Sequence, residues 1–319
     1  MRWLSDTAVA RLKGAADDAP DLGGTKYELM RPLGRGGMGA VYVARDRELA
    51  REVALKVMAT DDPSAAERMR QEARILARLE HPGLVPVHDV GILPDGRCFY
   101  AMKLVRGRRL DEHAAGRQGL GERLRVFEKI CDAVAYAHAQ GVIHRDLKPA
   151  NVMVGPFGEV LVMDWGVARL RAGDGQPAPA SRLPAGDGSH TLAGTVLGTP
   201  GYMSPEQARG EVERIDERSD VYGLGAILDF LVGGATEGRP AALDAVCGKA
   251  MAENPADRYA SATELSKDVA RFLLAQPVAA HRERPLERLG RLLTRYRSAA
   301  VLIAAYLVTR TLLAFFGHI

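Results

Sequence analysis

The sequence predicts an α+β fold, and three observations carry that expectation. Strand-like segments run from Tyr27 to Val57, a long helical stripe covers residues 122–140, and a charged loop sits between short apolar runs at Val142–Gly166. The chain has 319 residues, enough for one large domain or two smaller ones. Its 47% hydrophobic and 26% charged residues are ordinary for a globular protein with a sizeable core. A formal charge of +3 is too small to argue for nucleic acid, and no nucleic-acid partner is expected. Cys98, Cys131 and Cys247 form no close pair and no metal-ligand spacing, which suits buried thiols in a reducing cytosol. Met1 to Pro20 lacks a continuous apolar run, so no signal peptide is expected.

Residues 1–24 form an extension in which Trp3, Leu4, Val9 and Leu12 permit a turn or two of amphipathic helix before Gly23-Gly24. From Tyr27 the pattern is β-like. Gly34, Gly36 and Gly39 fit G-x-G-x-x-G and lie between two apparent strands, whereas the dinucleotide fingerprint places that motif before a helix. Glycines there let backbone N–H groups approach phosphates closely. Val53–Val57 is an apolar strand carrying Lys56. Pro63-Ser64 opens a helix with Met69, Ala73, Leu76 and Leu79 at helical spacing, and with Glu72 among them. Leu84–Val87 and Cys98–Met102 read as further strands. Leu124, Phe127, Ile130, Val134 and Ala137 form the stripe of the long helix.

The loop that follows reads VIHRDLKPANVMVGPFGEVLVMDWG. Asp146 and Asp164 stand eighteen positions apart, with Lys148 and Asn151 between them. One carboxylate could take a proton from an attacking hydroxyl. The other, with the Asn amide oxygen, supplies the hard oxygen ligands that Mg²⁺ prefers, and Lys148 could neutralise a phosphate.

At these residues the chain resembles the protein-kinase family. His144-Arg145-Asp146-Leu147-Lys148-Pro149-Ala150-Asn151 looks like the kinase catalytic loop, and Asp164-Trp165-Gly166 like its metal-binding Asp-Phe-Gly motif. Lys148, two residues after the Asp, is the serine/threonine-type arrangement. The likeness is to the bacterial Hanks-type (eukaryotic-like) group with receptor-like members. It implies a bilobal fold over residues 25–276, with a small β-rich lobe to about residue 105 and a helical lobe from about 106. ATP with Mg²⁺, or Mn²⁺ in its place, is the implied cofactor pair, and proteins bearing Ser or Thr are the implied substrates.

The resemblance also implies the site. Gly34, Gly36 and Gly39 cover the phosphates, and Lys56, seventeen residues past Gly39, contacts them while paired with Glu72. Val41, Ala54, gatekeeper Met102 and hinge residue Leu104 contact the nucleotide, and Asp111 its ribose. Asp146 is the base, Lys148 steadies the γ-phosphate, and Asn151 and Asp164 hold the metal. Trp165 in place of Phe is expected to keep an apolar packing residue. Lys103, where the family more often has Glu, is neutral for backbone recognition of adenine.

Residues 172–188 are rich in Gly, Ala, Pro and Asp and are expected to be mobile. They lead to GTPGYMSPE, residues 198–206, which resembles the end of a kinase activation segment. Arg145 offers a cation to a phosphate there, and Thr191 and Thr195 are the candidate phosphosites, ahead of Ser181 and Ser189. A dimer would serve such autophosphorylation in trans. Thr199 is implied to bridge toward Asp146 and Lys148. Asp220 is implied to anchor the catalytic loop from a buried helix, and Arg258 to pair with Glu206.

After that helix the chain departs from the family. Gly233-Gly234 is followed within ten residues by Leu243–Val246, which resembles the family's helix H, so the helix-G region is missing. This loss is expected to uncover apolar surface that something else must cover, and to affect docking of protein substrates. Residues 281–297 carry six Arg against two Glu, a net +4, with Leu286, Leu289, Leu293 and Tyr296 on one helical face, which suits an anionic leaflet. Residues 298–317 are mostly apolar and about long enough to span a bilayer, although Arg310 there costs about 2.5–3.5 kcal/mol. The expected location is therefore the cell membrane, single-pass, with the kinase part cytoplasmic. Only His318 and Ile319 follow, so no outer sensor is expected. The rival functions are a non-catalytic ATP-binding scaffold, motivated by the missing region, and a small-molecule kinase, opposed by the GTPGYMSPE segment.

Overall fold

The computed structural model describes residues 19–36, 39–59, 63–116, 118–165, 169–170, 201–235, 238–282, 288 and 297–316. Thr191, Thr195, Thr199, Ser181, Ser189 and Gly166 lie outside them, as do residues 1–18 and most of 283–296.

The first lobe is a five-stranded antiparallel sheet in the order β1-β2-β3-β5-β4. Its strands are β1 (Tyr27–Gly36), β2 (Gly39–Asp46), β3 (Arg51–Met58), β4 (Val87–Ile92) and β5 (Cys98–Lys103). The period-2 alternation splits their side chains between two faces. Val53, Leu55, Val57, Phe99 and Ala101 join Tyr27 and Tyr42 in a small core. Ala54, Met58, Cys98, Tyr100 and Met102 point the other way, into the main core, together with α1 (Pro63–Arg78). Met69, Ala73 and Leu76 are buried on that helix as its spacing predicted, Ile75 is buried beside them, and Leu79 is buried just past its end.

One strand was misplaced by the sequence reading. Leu84 and Val85 are buried but make only an isolated bridge, Leu84 to Val162. Pro86 has no N–H to donate, and β4 begins one residue later.

The second lobe is helical. A two-residue strand β6 (Arg108–Arg109) leads into α2 (Leu110–Ala114) and then α3 (Leu120–Ala139). The stripe Leu124, Phe127, Ile130, Val134 and Ala137 on α3 is fully buried. After β7 (Val142–Ile143) and a 3₁₀ turn at Pro149–Asn151 come β8 (Val152–Val154) and β9 (Val160–Val162). β8 pairs with β6 on one side and β9 on the other, while β10 (Arg169–Leu170) pairs with β7. α4 (Pro205–Ala208), α5 (Glu217–Gly233), α6 (Ala241–Ala250) and α7 (Ala262–Leu273) complete the lobe. Their starts are capped by Ser204, Asp216 and Ser261 at α4, α5 and α7, each side chain accepting N–H bonds the first turn leaves open.

Residues 234–240 join α5 directly to α6. The apolar surface expected to need a new cover at this junction has one among the described residues. Leu231, Val232, Leu243 and Val246 are buried because α6 lies directly on α5. The buried Arg123 guanidinium donates to the carbonyls of Leu231, Ala114, Gly116 and Gln118, tying one carbonyl near the end of α5 to the segment before α3. Arg239 in the connection bridges Asp229 of α5 and Asp244 of α6.

The packed unit runs on to Val278, which is buried, and the N–H groups of Ala279 and Ala280 donate to the buried Asp268 carboxylate. A last helix, α8 (Arg297–Phe316), occupies the apolar tail. Its described side chains lie between Val301 and Thr311. The spanning helix expected there is not found: among the described residues no helix is long and apolar enough to cross a membrane. Arg310, between Thr309 and Thr311, interrupts the apolar run.

Candidate active site

Between the two lobes the sheet, α1 and the charged loop bring ionisable groups together. β3 and β5 pair Lys56 with Tyr100 and Ala54 with Met102, which puts all four on the face toward α1 and the loop. Lys56 Nζ is 2.8 Å from Glu72 Oε1 and 3.7 Å from Asp164 Oδ1. Lys56 and Glu72 are nearly buried, with 10% and 5% of their side chains exposed, while Asp164 stands 64% open. Ala54 and Met102 are buried, and Val41 and Leu104 partly so, against the same core. The Lys103 amide donates to the Pro86 carbonyl, outside the sheet pairing.

Above this slot β1 and β2 close through the pairing of Gly36 with Gly39. A Cβ on Gly39 would collide with the Val57 carbonyl, so β3 itself requires that glycine. A Cβ on Gly34 would meet nothing within 4 Å. The protein fold does not demand Gly34. Asp111 sits in the first turn of α2, ion-paired with Arg109 at 3.0 Å.

The loop after β7 is held by Asp220 from inside α5. Its Oδ2 accepts the His144 amide at 2.7 Å and His138 Nε2 at 2.8 Å, and its Oδ1 accepts the Arg145 amide at 2.8 Å. Burial pushes this carboxyl up, but the hydrogen bonds from His138 and the His144 amide help outweigh it, so it lies below the usual range. Arg145 has a left-handed backbone with φ of 71°. Its carbonyl accepts from Gln207 of α4 at 2.7 Å. His144 Nδ1 accepts the Asp146 amide at 3.2 Å, and its Nε2 lies 2.9 Å from the Met163 carbonyl. An amide only donates and a carbonyl only accepts, so the imidazole carries its proton on Nε2.

Asp146 Oδ2 accepts Lys148 Nζ at 2.7 Å and Asn151 Nδ2 at 3.1 Å. Asn151 Nδ2 also donates to the Asp146 carbonyl at 2.8 Å, which commits the amide nitrogen and leaves Oδ1 as the oxygen that could meet a cation. The Met163 amide donates to the Asn151 carbonyl at 2.8 Å, tying the loop to the Asp164 turn. Asp164 has φ of 63°, a left-handed conformation uncommon for Asp. Trp165 keeps the apolar packing expected of it and adds a polar contact that the sequence did not suggest. It is buried and packs on the His144 ring, with centroids 4.5 Å apart, but its indole N–H also donates to the Val162 carbonyl at 3.2 Å.

Beneath the loop, Arg258 and Glu206 form a two-pronged pair with both distances 2.7 Å, and Ser219 Oγ donates to Glu206 Oε1 at 2.7 Å. Burial raises the Glu206 carboxyl, but the Arg258 and Ser219 hydrogen bonds push it down to about 2.

The donor set fits Mg²⁺ with a nucleotide. Among the described residues no three His, Cys, Asp or Glu side chains could hold an ion alone. Asn151 Oδ1 and the exposed Asp164 carboxylate offer two hard oxygens, leaving positions for phosphate oxygens and water. Sequence reasoning missed Tyr100, His138, Gln207 and Ser219. Each lies in a run whose pattern already explained it as helix, strand or cap, so no local signal marked it.

The protein kinase domain profile matches residues 27–274. The chain belongs to the protein kinase family. It is 38% identical over 286 positions to serine/threonine-protein kinase PknB of Mycobacterium tuberculosis, covering 79% of this chain and 44% of that protein. PknD of Chlamydia trachomatis, another serine/threonine-protein kinase, is 35% identical over 302 positions, covering 79% of this chain and 32% of its own length. The chain thus spans less than half the length of these curated relatives.

Proposed function

We propose that this kinase is a serine/threonine protein kinase of the bacterial receptor-like group. It transfers the γ-phosphate of Mg-ATP to Ser or Thr hydroxyls of proteins. The observation that carries this is the unbroken set of contacts Lys148–Asp146–Asn151 and Glu72–Lys56–Asp164 at the lobe junction. The apolar slot of Val41, Ala54, Met102 and Leu104 takes the adenine under Gly34, Gly36 and Gly39. Asp111 reaches the ribose once free of Arg109. Lys56 holds the α- and β-phosphates. Bound at Asn151 and Asp164, Mg²⁺ would neutralise charge on the phosphate oxygens. Asp146 accepts the acceptor hydroxyl's proton as the hydroxyl oxygen attacks the γ-phosphorus, the bond from that phosphorus to the β-phosphate oxygen breaks to release ADP, and Lys148 offsets charge on the transferred group.

A non-catalytic scaffold has no support in the site, where no catalytic side chain is replaced. The shortened second lobe is part of the proposal. It is supported by the direct α5–α6 junction and by an alignment to PknB that uses 286 positions but only 79% of this chain. Autophosphorylation of Thr191 or Thr195, in trans within a dimer, would set the activation segment against Arg145.

Attachment to the cell membrane, with the kinase unit cytoplasmic, is the companion proposal. Val301, Leu302, Ile303, Tyr306, Leu307 and Val308 are all exposed on α8. The Thr309 and Thr311 hydroxyls donate to the Ala305 and Leu307 carbonyls, which suits an apolar medium. The basic flank fits the inner leaflet.

The test incubates the full chain with labelled ATP, Mg²⁺ and a basic protein acceptor, beside Asp146→Asn. Label on acceptor Ser or Thr, absent from the variant, supports the kinase reading; nucleotide binding without label moves it to the scaffold. Retention of the chain in membranes after alkaline carbonate extraction supports a crossing. Release by carbonate puts α8 on the surface, and failure to sediment with membranes ends the anchoring proposal.

A further inference from the structure

The hydrogen bond from Tyr100 to Glu72 is not needed to build the sheet, and none of the roles assigned above uses it. Tyr100 lies on β5 directly opposite Lys56 on β3. Its hydroxyl donates to Glu72 Oε1 at 2.9 Å, the same oxygen that accepts Lys56 Nζ at 2.8 Å. The Lys56 ammonium stands 5.5 Å from the Tyr100 ring centroid. Tyr100 is only 2% exposed, so a Phe would fill the same space and the hydroxyl has no water to turn to.

We infer that Tyr100 is a positioning residue for phosphoryl transfer: its hydroxyl holds Glu72 of α1 against β5, keeping Lys56 aimed at the phosphates whether or not nucleotide is bound. The inference rests on the kinase reading above. Lys56 cannot do this by itself. It is a cation between two carboxylates, Glu72 and Asp164, and nucleotide phosphates would draw it from both. The phenol is neutral and stays so, because burial and then the Glu72 and Asp164 charges raise its ionisation well above the ordinary range. Phosphate therefore does not attract it, and it keeps Glu72 in place while the lysine reaches forward. If α1 swung outward, the phenol would be left buried without a partner, so the outward state is disfavoured before any phosphorylation of the activation segment.

The test uses the full chain and Tyr100→Phe. The hydroxyl bond is to a charged group, so kcat should fall roughly tenfold or more, with KM for the protein acceptor unchanged. Mg-ATP titrations of wild type, Y100F, K56M and the double variant separate positioning from packing. Positioning predicts that Y100F weakens Mg-ATP binding in the wild-type background and adds nothing in K56M. An equal loss in both backgrounds, or a Y100F enzyme with wild-type kcat, overturns the inference.

Should Y100F not fold, amide hydrogen exchange on the wild type decides. Slow exchange over residues 63–78 without nucleotide supports the inference. Protection that appears only with Mg-ATP overturns it. A wild type that transfers no phosphate, yet shows the Tyr100–Lys56 coupling in titration, defeats the kinase reading and leaves the positioning intact.

Discussion

Two buried acid–base pairs frame the site, and they are built differently. Glu206 and Arg258 meet through two parallel hydrogen bonds, are 1% and 0% exposed, and are completed by Ser219. Arg258 also donates to the carbonyls of Arg218, Ala252 and Glu253. Lys56 and Glu72 meet through one oxygen, with the open Asp164 on the far side. The first pair is saturated and joins α4, α5 and the segment after α6. The second keeps one charge available to a ligand. Arg supplies a planar fork for the former, and Lys a single point charge that can change partner for the latter.

The largest expected effect comes from breaking the saturated pair. Arg258→Ala leaves Glu206 buried without its cation and removes three carbonyl contacts, so stability should fall by about 3–5 kcal/mol. Urea unfolding followed by circular dichroism measures it. A loss below about 1 kcal/mol, the range of surface pairs, would remove the contrast.

Lys56→Met breaks the other pair with the opposite signature. Its stem still fills the slot, while the charge offered to phosphate is gone. Activity should drop about 10²–10³-fold, the scale for losing one electrostatic contact to a reacting group, with a much smaller change in melting temperature than Arg258→Ala causes. Phosphate transfer and a thermal melt on the same preparation check both halves.

The two pairs also differ in how readily the sequence disclosed them. Lys56 and Glu72 stand in a strand and a helix whose periodicities are plain, although their pairing came from the resemblance. Glu206 and Arg258 are 52 positions apart and were paired only through resemblance. Residues that brace these groups left no trace. Tyr100 reads as one more aromatic in a buried strand, and His138 as a polar residue in the last turn of α3. Gln207 shows only as part of a cap. Their roles depend on which carbonyl or carboxylate lies across a lobe, and a one-dimensional pattern does not carry that. The α5–α6 junction was half legible. Missing residues implied apolar surface in need of a cover, but not that direct helix packing, with Arg123 beside it, would supply one.

Acid should sharpen the contrast further. Glu206 is held down to about 2 from an ordinary 4.5. A carboxyl depressed in the folded state contributes stability that is full above its unfolded value and is lost as pH falls through its folded one. The window is therefore pH 4.5 down to about 2, and the contribution is roughly 3 kcal/mol. Asp220 and Asp268 are also held below the usual range despite burial, so the acid slope of the wild type is shared. The stability gap between wild type and Arg258→Ala isolates Glu206. That gap should narrow across this window, and a gap independent of pH would show that the pair does not titrate with folding.

The smallest effect concerns the turn between the two pairs. Trp165 packs on His144 as a Phe would, and adds one neutral hydrogen bond to the Val162 carbonyl. Trp165→Phe keeps most of the packing and removes that N–H, so the cost should be about 1 kcal/mol. The loss falls on the segment that presents Asp164, so the rate of transfer should decline severalfold while binding of the protein acceptor is unaffected. The chain has two tryptophans, Trp3 and Trp165. Emission that changes on nucleotide addition in the wild type, and no longer does so in W165F, would report the turn directly. Unchanged stability and rate would mean that packing on His144 alone fixes Asp164, and that the indole N–H is incidental to it.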